Sequence, residues 1–542
     1  MKKILFLLAA SLLSSAGLKA QEPAYKILSE RDTTVKAKLG SISLGSREVK
    51  HIVYEYPSTD ADRKAVTVSG VIMIPSDVLN GSVPCDGIIM YNHPTIGSPE
   101  AAPSQGGEIL QHLSIALASP LKPNYILVAS DYIGYGSSID SGVSYISGDT
   151  NSRNALDGLL AARQLFDDRQ IPQGKFLFNL GYSQGGTVSM YAGKLTDTEA
   201  KYKGIRFDKT FAGGGPLDFE LIYSTYVKRD ACEDVADVVL MLISVNENYH
   251  LGIDYKDMFK EPMASKAMEY YKSKRKSVVS AIGVTAMDSI SKVLTPTFMN
   301  LESEPVKKLC AKLKEISLTE GWEPDVTKRY YIEHSRHDNY VPVQSARTII
   351  PWMKEKGFKP SIVPGKSSLQ TNTVVFKLKH QQSGIVWCIQ ALAAIQFWPV
   401  LYYEGEQNRY YHDVVKDMNV LKVIKFIESL GIDVKQIAKD AGLSRKNAPR
   451  RASLLDFIPG ISDALKKVDL TTDDLDEMLA DSGITYEDLL MAYLYLKTGN
   501  SRAADIDERV EAPLYLLRSY EQTLANWFLL GGFDVDYNLW GM

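Results

Sequence analysis

The residues best suited to chemistry form one short stretch, Gly181-Tyr182-Ser183-Gln184-Gly185. An apolar run precedes this G-x-S-x-G spacing at residues 175–180, and an amphipathic run follows it at residues 187–195. Strand, tight turn and helix in that order predict a sharp elbow that projects a serine hydroxyl above the end of a buried strand. Glycines are expected on either side because neighbouring chain passes too close for side chains. The alternative interpretation is a serine in an ordinary glycine-rich turn.

A serine hydroxyl needs a general base to take up its proton, usually a histidine that a carboxylate orients. Where a serine sits on such an elbow, nucleophile, acid and base follow one another along the chain, each after a strand. Asp338 follows a predicted strand at residues 329–333, and His380 follows one at residues 373–378. We therefore predict a triad of Ser183, Asp338 and His380. The alternatives are an aspartate of a surface loop and a histidine that only packs.

Position along the chain argues against the other candidates for acid and base. His334 and His337 precede Asp338 in its own loop, so we expect them to shape that loop. His412 is separated from the last predicted strand by a long apolar segment, and Asp325 lies before its strand, at the wrong end. His380 is therefore the histidine expected to reach the nucleophile.

The oxyanion that forms when a carbonyl is attacked needs N–H donors already in place. One donor is expected to be the backbone N–H of Gln184, directly after the nucleophile. The second should come from the loop that follows the apolar run at residues 85–91. Pro94 in that loop has no N–H, so Thr95 is the candidate, and its hydroxyl adds a further donor. A simple strand-ending turn is the alternative.

The elements that must position these residues alternate in type. Short, mostly apolar runs predict buried strands, and helical patterns separate several of these strands. The predicted strands are at residues 85–91, 125–130, 175–180, 209–212, 329–333 and 373–378. The predicted helices between them are at residues 108–118 and 154–166. This alternation predicts a mostly parallel sheet with helices on both faces. Residues 49–56 and 65–74 favour two antiparallel strands before it.

The alternation of predicted strands and helices is interrupted in two regions. Residues 217–325 show only helical patterns, best at 235–245, 263–275 and 304–316, and this predicts a helical cap inserted over the strand ends. From about residue 405 to residue 542 the chain is again charged and helical. We interpret residues 405–542 as a separate region that serves packing or joins copies of the chain into a homo-oligomer, without chemistry of its own.

Composition and termini restrict the kinds of partner. The net charge of −4 gives no case for binding nucleic acid or an anionic membrane surface. Residues 1–20 have the basic start, apolar run and small residue before Gln21 that are typical of a cleaved secretory signal. The alternative is an uncleaved anchor helix, for which the apolar run is short. The apolar segment at residues 384–403 is expected to be a buried core helix, so no stable membrane span is predicted.

The four cysteines have no metal-site spacing, and we expect neither metal nor organic cofactor. Cys85 and Cys388 lie in apolar segments and are expected to pack as small hydrophobic residues. Cys232 and Cys310 both fall in the helical insertion, where a bridge between them is left open.

Several motifs together resemble those of the α/β-hydrolase superfamily, and within it those of secretory lipases and related exported esterases. They are GYSQGG at 181–186, DYIGYGSS at 131–138, YNHPT at 91–95, GGGPLD at 213–218, HSRHDNYVP at 334–342, and His380. The resemblance covers roughly residues 45–400 and implies a Ser183, Asp338, His380 triad, with Thr95 and Gln184 as the oxyanion hole. The usual His-Gly pair is His93-Pro94 here, and residues 405–542 have no counterpart.

The sequence thus predicts a signal peptide (1–20), an α/β-hydrolase domain (21–404, with the cap at 217–325) and a C-terminal helical region (405–542). The predicted function is that of an exported serine hydrolase, periplasmic or secreted, which cleaves a small-molecule or lipid ester through an acyl-enzyme. Two alternatives stay open: a serine peptidase acting on small peptides, and a non-catalytic scaffold of the same fold.

Overall fold

The computed structural model describes residues 24–39, 42–106, 117–118, 124–358, 368–374, 379–381, 383–384, 387–388, 391–392 and 395. The expected signal peptide, nearly all of the helix expected at residues 108–118, and the whole C-terminal region at residues 405–542 lie outside these residues.

Within the described residues the strands form one nine-stranded sheet in the order β1-β2-β3-β5-β4-β6-β7-β8-β9. They are β1 Lys26–Leu39, β2 Ile42–Thr59, β3 Ala65–Pro75, β4 Gly87–Asn92, β5 Tyr125–Ser130, β6 Phe176–Tyr182, β7 Lys209–Gly213, β8 Tyr330–Ser335 and β9 Leu369–Val374. Strands β1 to β3 are antiparallel to their neighbours, and the pairs from β5 to β9 are parallel. The mostly parallel sheet and the antiparallel strands that precede it are confirmed.

The α-helices connect these strands. They are α1 Ser76–Leu79, α2 Gly148–Asp168, α3 Gln184–Thr198, α4 Phe219–Arg229, α5 Val235–Asn248, α6 Tyr255–Met258, α7 Met263–Ser273, α8 Ser277–Ala281, α9 Glu304–Glu315 and α10 Gln344–Glu355. Short 3-10 helices lie at Pro99–Ala101, Pro103–Gln105, Gly136–Ser138, Ala200–Tyr202 and Ile290–Lys292. The helices expected at residues 154–166, 235–245, 263–275 and 304–316 correspond to α2, α5, α7 and α9.

The central strands are apolar along their length because both faces of the sheet are covered. In β4, Ile88 and Met90 pack into one core with residues of α2, whereas Ile89 and Tyr91 pack into a second core with residues of α5. Side chains of a strand alternate between the two faces of the sheet, so each face of β4 carries its own apolar layer. The carboxyl ends of these strands are thereby held in a fixed arrangement.

Between β7 and β8 the chain forms helices α4 to α9, which we call the cap helices, with one isolated β-bridge between Phe259 and Leu294. Aspartates begin several of them. The Asp218 carboxylate accepts a hydrogen bond from the N–H of Leu221 at 3.1 Å, and the Asp234 carboxylate accepts one from Ala236 at 3.0 Å. Such caps satisfy N–H groups that have no partner within the helix.

The last strand begins earlier than the sequence predicts. We expected it at residues 373–378, but β9 spans Leu369–Val374 and pairs in parallel with β8 from Tyr330 to Ser335. Its sequence, LQTNTV, is largely polar. A search for apolar runs does not detect a polar strand, and it selects the TVVFKL run instead. Residues 375–378 of that run lie outside the described part of the chain.

The described positions from 380 to 395 are helical and form what we call the closing helix. Trp387, Ala391 and Ile395 recur every four residues and are buried in the core, as expected for one face of a helix. Across the part of the chain that is described, no helix combines the length and apolar character needed to span a membrane. All four cysteines are free, so Cys232 and Cys310 form no bridge.

Candidate active site

Ser183 lies at a strained turn between β6 and α3. Its backbone has φ 56° and ψ −125°, a left-handed conformation that a residue with a side chain rarely adopts. The Ser183 N–H donates to the carbonyl of Gly213 at 2.8 Å, and the Ser183 carbonyl accepts from the N–H of Gly186 at 2.9 Å. Strained backbone of this kind clusters at functional sites. The structure thus forms the elbow that the sequence predicts.

The two glycines of the motif are required by close packing of backbone. A Cβ atom at Gly181 would lie 2.2 Å from the carbonyl oxygen of Gly185, and one at Gly185 would lie 2.0 Å from that of Asn92. Neither distance leaves room for a side chain, so the prediction for both glycines is confirmed. The same closeness presses the loop after β4 against the elbow.

A buried polar network lies beneath the elbow. The Asn92 Nδ2 group donates to Asn179 Oδ1 at 2.7 Å and to Ser189 Oγ at 2.9 Å, while Asn179 Nδ2 donates to the carbonyl of Ser189 at 2.9 Å. These bonds join β4, β6 and α3. Buried hydrogen bonds of this kind hold the segments that they join in one arrangement, although Asn92 Oδ1 itself is buried without a hydrogen-bond partner. The sequence signal for this network is an asparagine in each of two otherwise apolar strands.

Asp338 and His380 meet at the carboxyl ends of β8 and β9. His380 Nδ1 lies 2.6 Å from Asp338 Oδ2. The other carboxylate oxygen, Asp338 Oδ1, accepts hydrogen bonds from the N–H groups of Tyr340 at 2.9 Å and Val341 at 2.8 Å. Burial alone would raise the pKa of Asp338, but the charge and hydrogen bond of His380 outweigh it, so the pKa lies below its usual value. The carboxylate is therefore ionised and accepts the Nδ1–H hydrogen.

Aromatic rings and backbone contacts fix the orientation of His380. Its ring contacts those of Tyr182 and Tyr340, with centroid distances of 4.9 and 5.1 Å. The His380 N–H donates to Asn339 Oδ1 at 3.0 Å, and its carbonyl accepts from the Tyr182 hydroxyl at 2.8 Å. With Nδ1 bound to the carboxylate, Nε2 is the ring nitrogen left to act as a base.

The two other histidines of this loop have different surroundings. His334 is buried, and its Nε2–H donates to the carbonyl of Val341 at 2.8 Å, which holds the turn that carries Asp338. Burial lowers the pKa of His334 and favours the neutral ring. His337 is exposed to solvent. Both are thus placed to shape or border the loop, whereas His412 lies outside the described residues.

Ser183 and His380 open onto one cavity of about 580 Å³. Its wall combines the elbow, the loop after β4, the turn after β8, the closing helix and the cap helices. Among the residues that the structure describes, no hydrogen bond joins the Ser183 hydroxyl to the His380 ring. Catalytic hydrogen bonds are often long or poorly aligned before a substrate binds, so that contact stays a prediction.

The two expected oxyanion residues also line the cavity. Gln184 begins α3, where backbone N–H groups have no partner within the helix. Thr95 stands on the loop pressed against the elbow, and its Oγ1 atom lies 3.0 Å from the hydroxyl of Tyr145. The sequence contained no signal for Tyr145, because it comes from a loop between β5 and α2.

His93 holds the turn that carries Thr95. Its ring stacks on Tyr132 with centroids 4.0 Å apart, and burial lowers its pKa to about 4. A neutral imidazole has one N–H, and the shorter of its two carbonyl contacts is that of Nδ1 with Pro94, at 2.7 Å. His93 thus fixes the loop and is placed as a structural residue.

The cap helices contribute charge as well as apolar surface to the cavity. Lys276 Nζ lies 2.7 Å from Asp234 Oδ2 and 2.8 Å from Asp237 Oδ1, and Glu233 lines the same wall. Burial raises the pKa of Asp237 to about 6, although Lys276 opposes the shift. Burial would lower the pKa of Lys276, but the two aspartates raise it overall. This charged cluster lies beside apolar residues of the same wall, among them Ile222, Val238 and Met241.

No family model matches the chain, and no curated protein sequence matches it. Solved structures do share its fold. A putative hydrolase from Legionella pneumophila aligns with a TM-score of 0.58 at 16% identity, over 70% of this chain and 99% of its own. The ligand-bound form of the rice cell wall degrading esterase LipA from Xanthomonas oryzae gives 0.53 at 16% identity, over 69% and 97%. The α/β-hydrolase fold is thus confirmed.

Proposed function

We propose that this α/β-hydrolase-fold protein is a serine hydrolase that cleaves carboxylic esters through an acyl-enzyme. One observation carries the proposal: Ser183, strained at an elbow, faces the same cavity as His380, whose Nδ1 is bound at 2.6 Å to a buried carboxylate. The likeness of the fold to a solved esterase is consistent with the same reaction class.

In the first step Ser183 Oγ attacks the ester carbonyl, and its proton passes to His380 Nε2. The Asp338 carboxylate holds Nδ1–H and stabilises the imidazolium that forms. As the new bond forms, the carbonyl electron pair moves onto oxygen, where the N–H groups of Gln184 and Thr95 donate to it. His380 then gives its proton to the alcohol, which leaves.

The second step returns the serine. Water attacks the acyl-enzyme while His380 Nε2 takes up a proton of the water. The bond between the acyl carbon and Ser183 Oγ then breaks, His380 returns its proton to that oxygen, and the carboxylic acid is released. The chemistry requires only groups that the chain itself provides: a nucleophile, a base and an oxyanion site. Ester specificity then depends on the cavity wall, to which the cap helices contribute.

The direct test is a panel of substrates with purified wild-type protein. It should include esters of rising acyl length, acetylated sugars, and aminoacyl amides of matched structure. We expect ester turnover that is lost in Ser183→Ala, with Ser265→Ala as a control that removes an exposed serine hydroxyl of α7 outside the cavity. Turnover that persists in Ser183→Ala would rule out the proposed nucleophile, and the absence of turnover in the wild type would favour the scaffold alternative.

A peptidase acting on small peptides is a second candidate, and one observation favours it. Three carboxylates, of Glu233, Asp234 and Asp237, line the cavity beside a single lysine, and such a wall suits a substrate with a free ammonium group. The triad chemistry applies to amides as well as esters. Amide turnover that exceeds ester turnover on matched aminoacyl substrates would select the peptidase.

We also propose export, with mature protein that begins at or near Gln21, in the periplasm or the medium. The basic, apolar and small-residue pattern of residues 1–20 supports this. Mass spectrometry of protein from its native host should find residue 21 at or near the N-terminus; intact Met1 on cytoplasmic material would refute export.

For residues 405–542 we propose packing or self-association, which analytical ultracentrifugation of the full chain with and without this region would test.

A further inference from the structure

A pair of hydroxyl groups lies on the oxyanion side of the cavity. Thr95 Oγ1 and the Tyr145 hydroxyl are 3.0 Å apart, and both residues line the cavity with Ser183. The backbone carbonyls of Asn92 and His93 pack against Gly185, where a Cβ atom would meet them at 2.0 and 3.0 Å. The loop that carries Thr95 is therefore anchored on the residue next to Gln184.

The two hydroxyl groups of Thr95 and Tyr145 have one hydrogen that their mutual hydrogen bond does not use. Two hydroxyl groups carry two hydrogens, and their mutual bond uses one, whichever group donates. In the described part of the chain neither hydroxyl makes another hydrogen bond to protein. Burial raises the pKa of Tyr145 well above its ordinary value, so its hydrogen stays in place at neutral pH.

The backbone beside Tyr145 is strained in a way that supports a functional position. Ile146 has φ 53°, and a β-branched residue in the left-handed region is an outlier. Hydrogen bonds hold this loop on α2: Asn151 Nδ2 donates to the carbonyl of Ser144 at 2.8 Å, and Ser147 Oγ contacts Thr150 Oγ1 at 3.1 Å. Strain that persists because the surroundings enforce it is typical of active sites.

We propose that the Thr95–Tyr145 hydroxyl pair supplies one further hydrogen-bond donor to the oxyanion, beside the two N–H groups. This inference rests on the proposed function. During attack the pair only donates: the Ser183 Oγ–carbon bond forms, the carbonyl electron pair moves to oxygen, and the serine proton goes to His380. The hydroxyl hydrogens remain on their oxygens. Tyr145 thereby acts in the chemical step although the elbow motif contains no sign of it.

The test compares Tyr145→Phe and Thr95→Val with wild type on an ester that the wild type hydrolyses. Each change should lower kcat about 10- to 100-fold with KM changed less than about threefold, because the donor is used only in the transition state. Affinity for a trifluoromethyl ketone, whose serine adduct carries an oxyanion, should fall by a similar factor. The double variant should lose little more than either single one, since the pair acts as one donor.

Matched variants separate this role from packing. Tyr249→Phe removes a hydroxyl bound at 2.7 Å to Ser147 of the same loop, outside the residues that line the cavity, and should leave kcat within about threefold of wild type. Thr95→Ser keeps the hydroxyl and should retain most activity, and if Tyr145→Phe fails to fold, the contrast between Thr95→Ser and Thr95→Val decides the question.

Unchanged kcat and ketone affinity in folded Tyr145→Phe, or a loss equal to that of Tyr249→Phe, would overturn the inference. A raised KM with unaltered kcat would do so as well, because it would indicate a ground-state contact. If wild-type protein neither hydrolyses esters nor binds the ketone, the proposed function has failed, and this inference fails with it.

Discussion

The wall that the sheet contributes to the cavity and the wall that the cap helices contribute differ in how their polar groups are held. On the sheet side, Asp338 accepts two backbone N–H groups and one imidazole, and His380 is fixed by Asp338, Asn339 and two tyrosine rings. On the cap side, Lys276 pairs with two aspartates, and Glu233 adds a further carboxylate.

Under the proposed function, this difference predicts a division of roles. Groups fixed by several partners cost little reorganisation when charge develops, which is what catalysis requires. Charged groups on a cavity wall can instead attract or repel a substrate without taking part in bond making. We therefore expect changes on the sheet side to affect all substrates alike, and changes on the cap side to alter their relative rates.

The largest effect should come from the base. Replacing His380 by alanine removes the acceptor of the serine proton, and kcat should fall roughly 10⁴- to 10⁶-fold for every ester, long or short. Steady-state kinetics on two esters of different acyl length measure this, with circular dichroism as the check on folding. A loss confined to one of the two esters would break the division of roles.

The neighbouring histidines provide the controls for this variant. His337→Ala removes an exposed side chain and should change kcat less than about threefold. His334→Ala removes the hydrogen bond to Val341 and should lower stability more than it lowers kcat. His412→Ala is also expected to cost far less than His380→Ala.

Replacing the acid should cost somewhat less than replacing the base. Asp338→Asn offers His380 an amide in place of a carboxylate and favours the wrong tautomer of the ring, so kcat should fall about 10³- to 10⁴-fold. The pH profile of kcat/KM tests the cause. Residual activity that rises only at high pH would indicate that another base has replaced His380. A near-normal kcat in Asp338→Asn would contradict the assignment of the acid.

These large effects concern residues that can be predicted from the sequence, because the signals that identify them lie in short stretches of the chain. The apolar β6, the glycines and the helix after Ser183 are consecutive in sequence, and chain order then selects Asp338 and His380. The bounds of β9 could not be predicted in the same way, because its polar sequence resembles a loop and only pairing with β8 identifies it. The mostly parallel sheet follows from the alternation of apolar strands and helices, whereas the α/β-hydrolase fold is implied by the resemblance of several motifs.

Contacts between distant segments could not be predicted where no motif or rule of chain order links the two residues. Tyr145 reaches Thr95 from 50 residues away, and Lys276 reaches Asp234 from 42 residues away. Each pair joins two loops or helices whose own sequences carry no sign of the other. The charged cluster in the cap was therefore invisible in a pattern that indicates only amphipathic helices.

An intermediate effect is expected from the shape of the cap. Replacing residues 217–325 by a short loop should change acyl-length preference about 10- to 100-fold while small acetate esters stay cleavable. Met241→Trp, which adds bulk to the cavity from α5, is the milder version and should slow long acyl chains more than acetate. Competition between acetate and long-chain esters measures the ratio; an unchanged ratio in folded variants would show that the cap does not select the substrate.

The smallest effect should come from protonation of Asp237 in the cavity wall. The pKa of Asp237 is raised to about 6, with Lys276, Asp234 and His380 among its charged neighbours. As pH falls from 8 to 5, Asp237 takes up a proton and the cavity loses a negative charge. Preference for a 6-aminohexanoate ester over a heptanoate ester should therefore decrease roughly three- to tenfold, and Asp237→Asn should abolish that change. A pH-dependent ratio that survives in Asp237→Asn would assign the effect to another group.

Labelling with a fluorophosphonate followed by peptide mass mapping tests the central claim most directly, because it requires no knowledge of the natural substrate. The probe reacts with a serine only where a base activates it and an oxyanion site receives the phosphoryl oxygen. We predict a single adduct on Ser183 in the wild type, and none in Ser183→Ala or in folded His380→Ala. An adduct on another serine, or labelling of His380→Ala at the wild-type rate, would contradict the proposed active site.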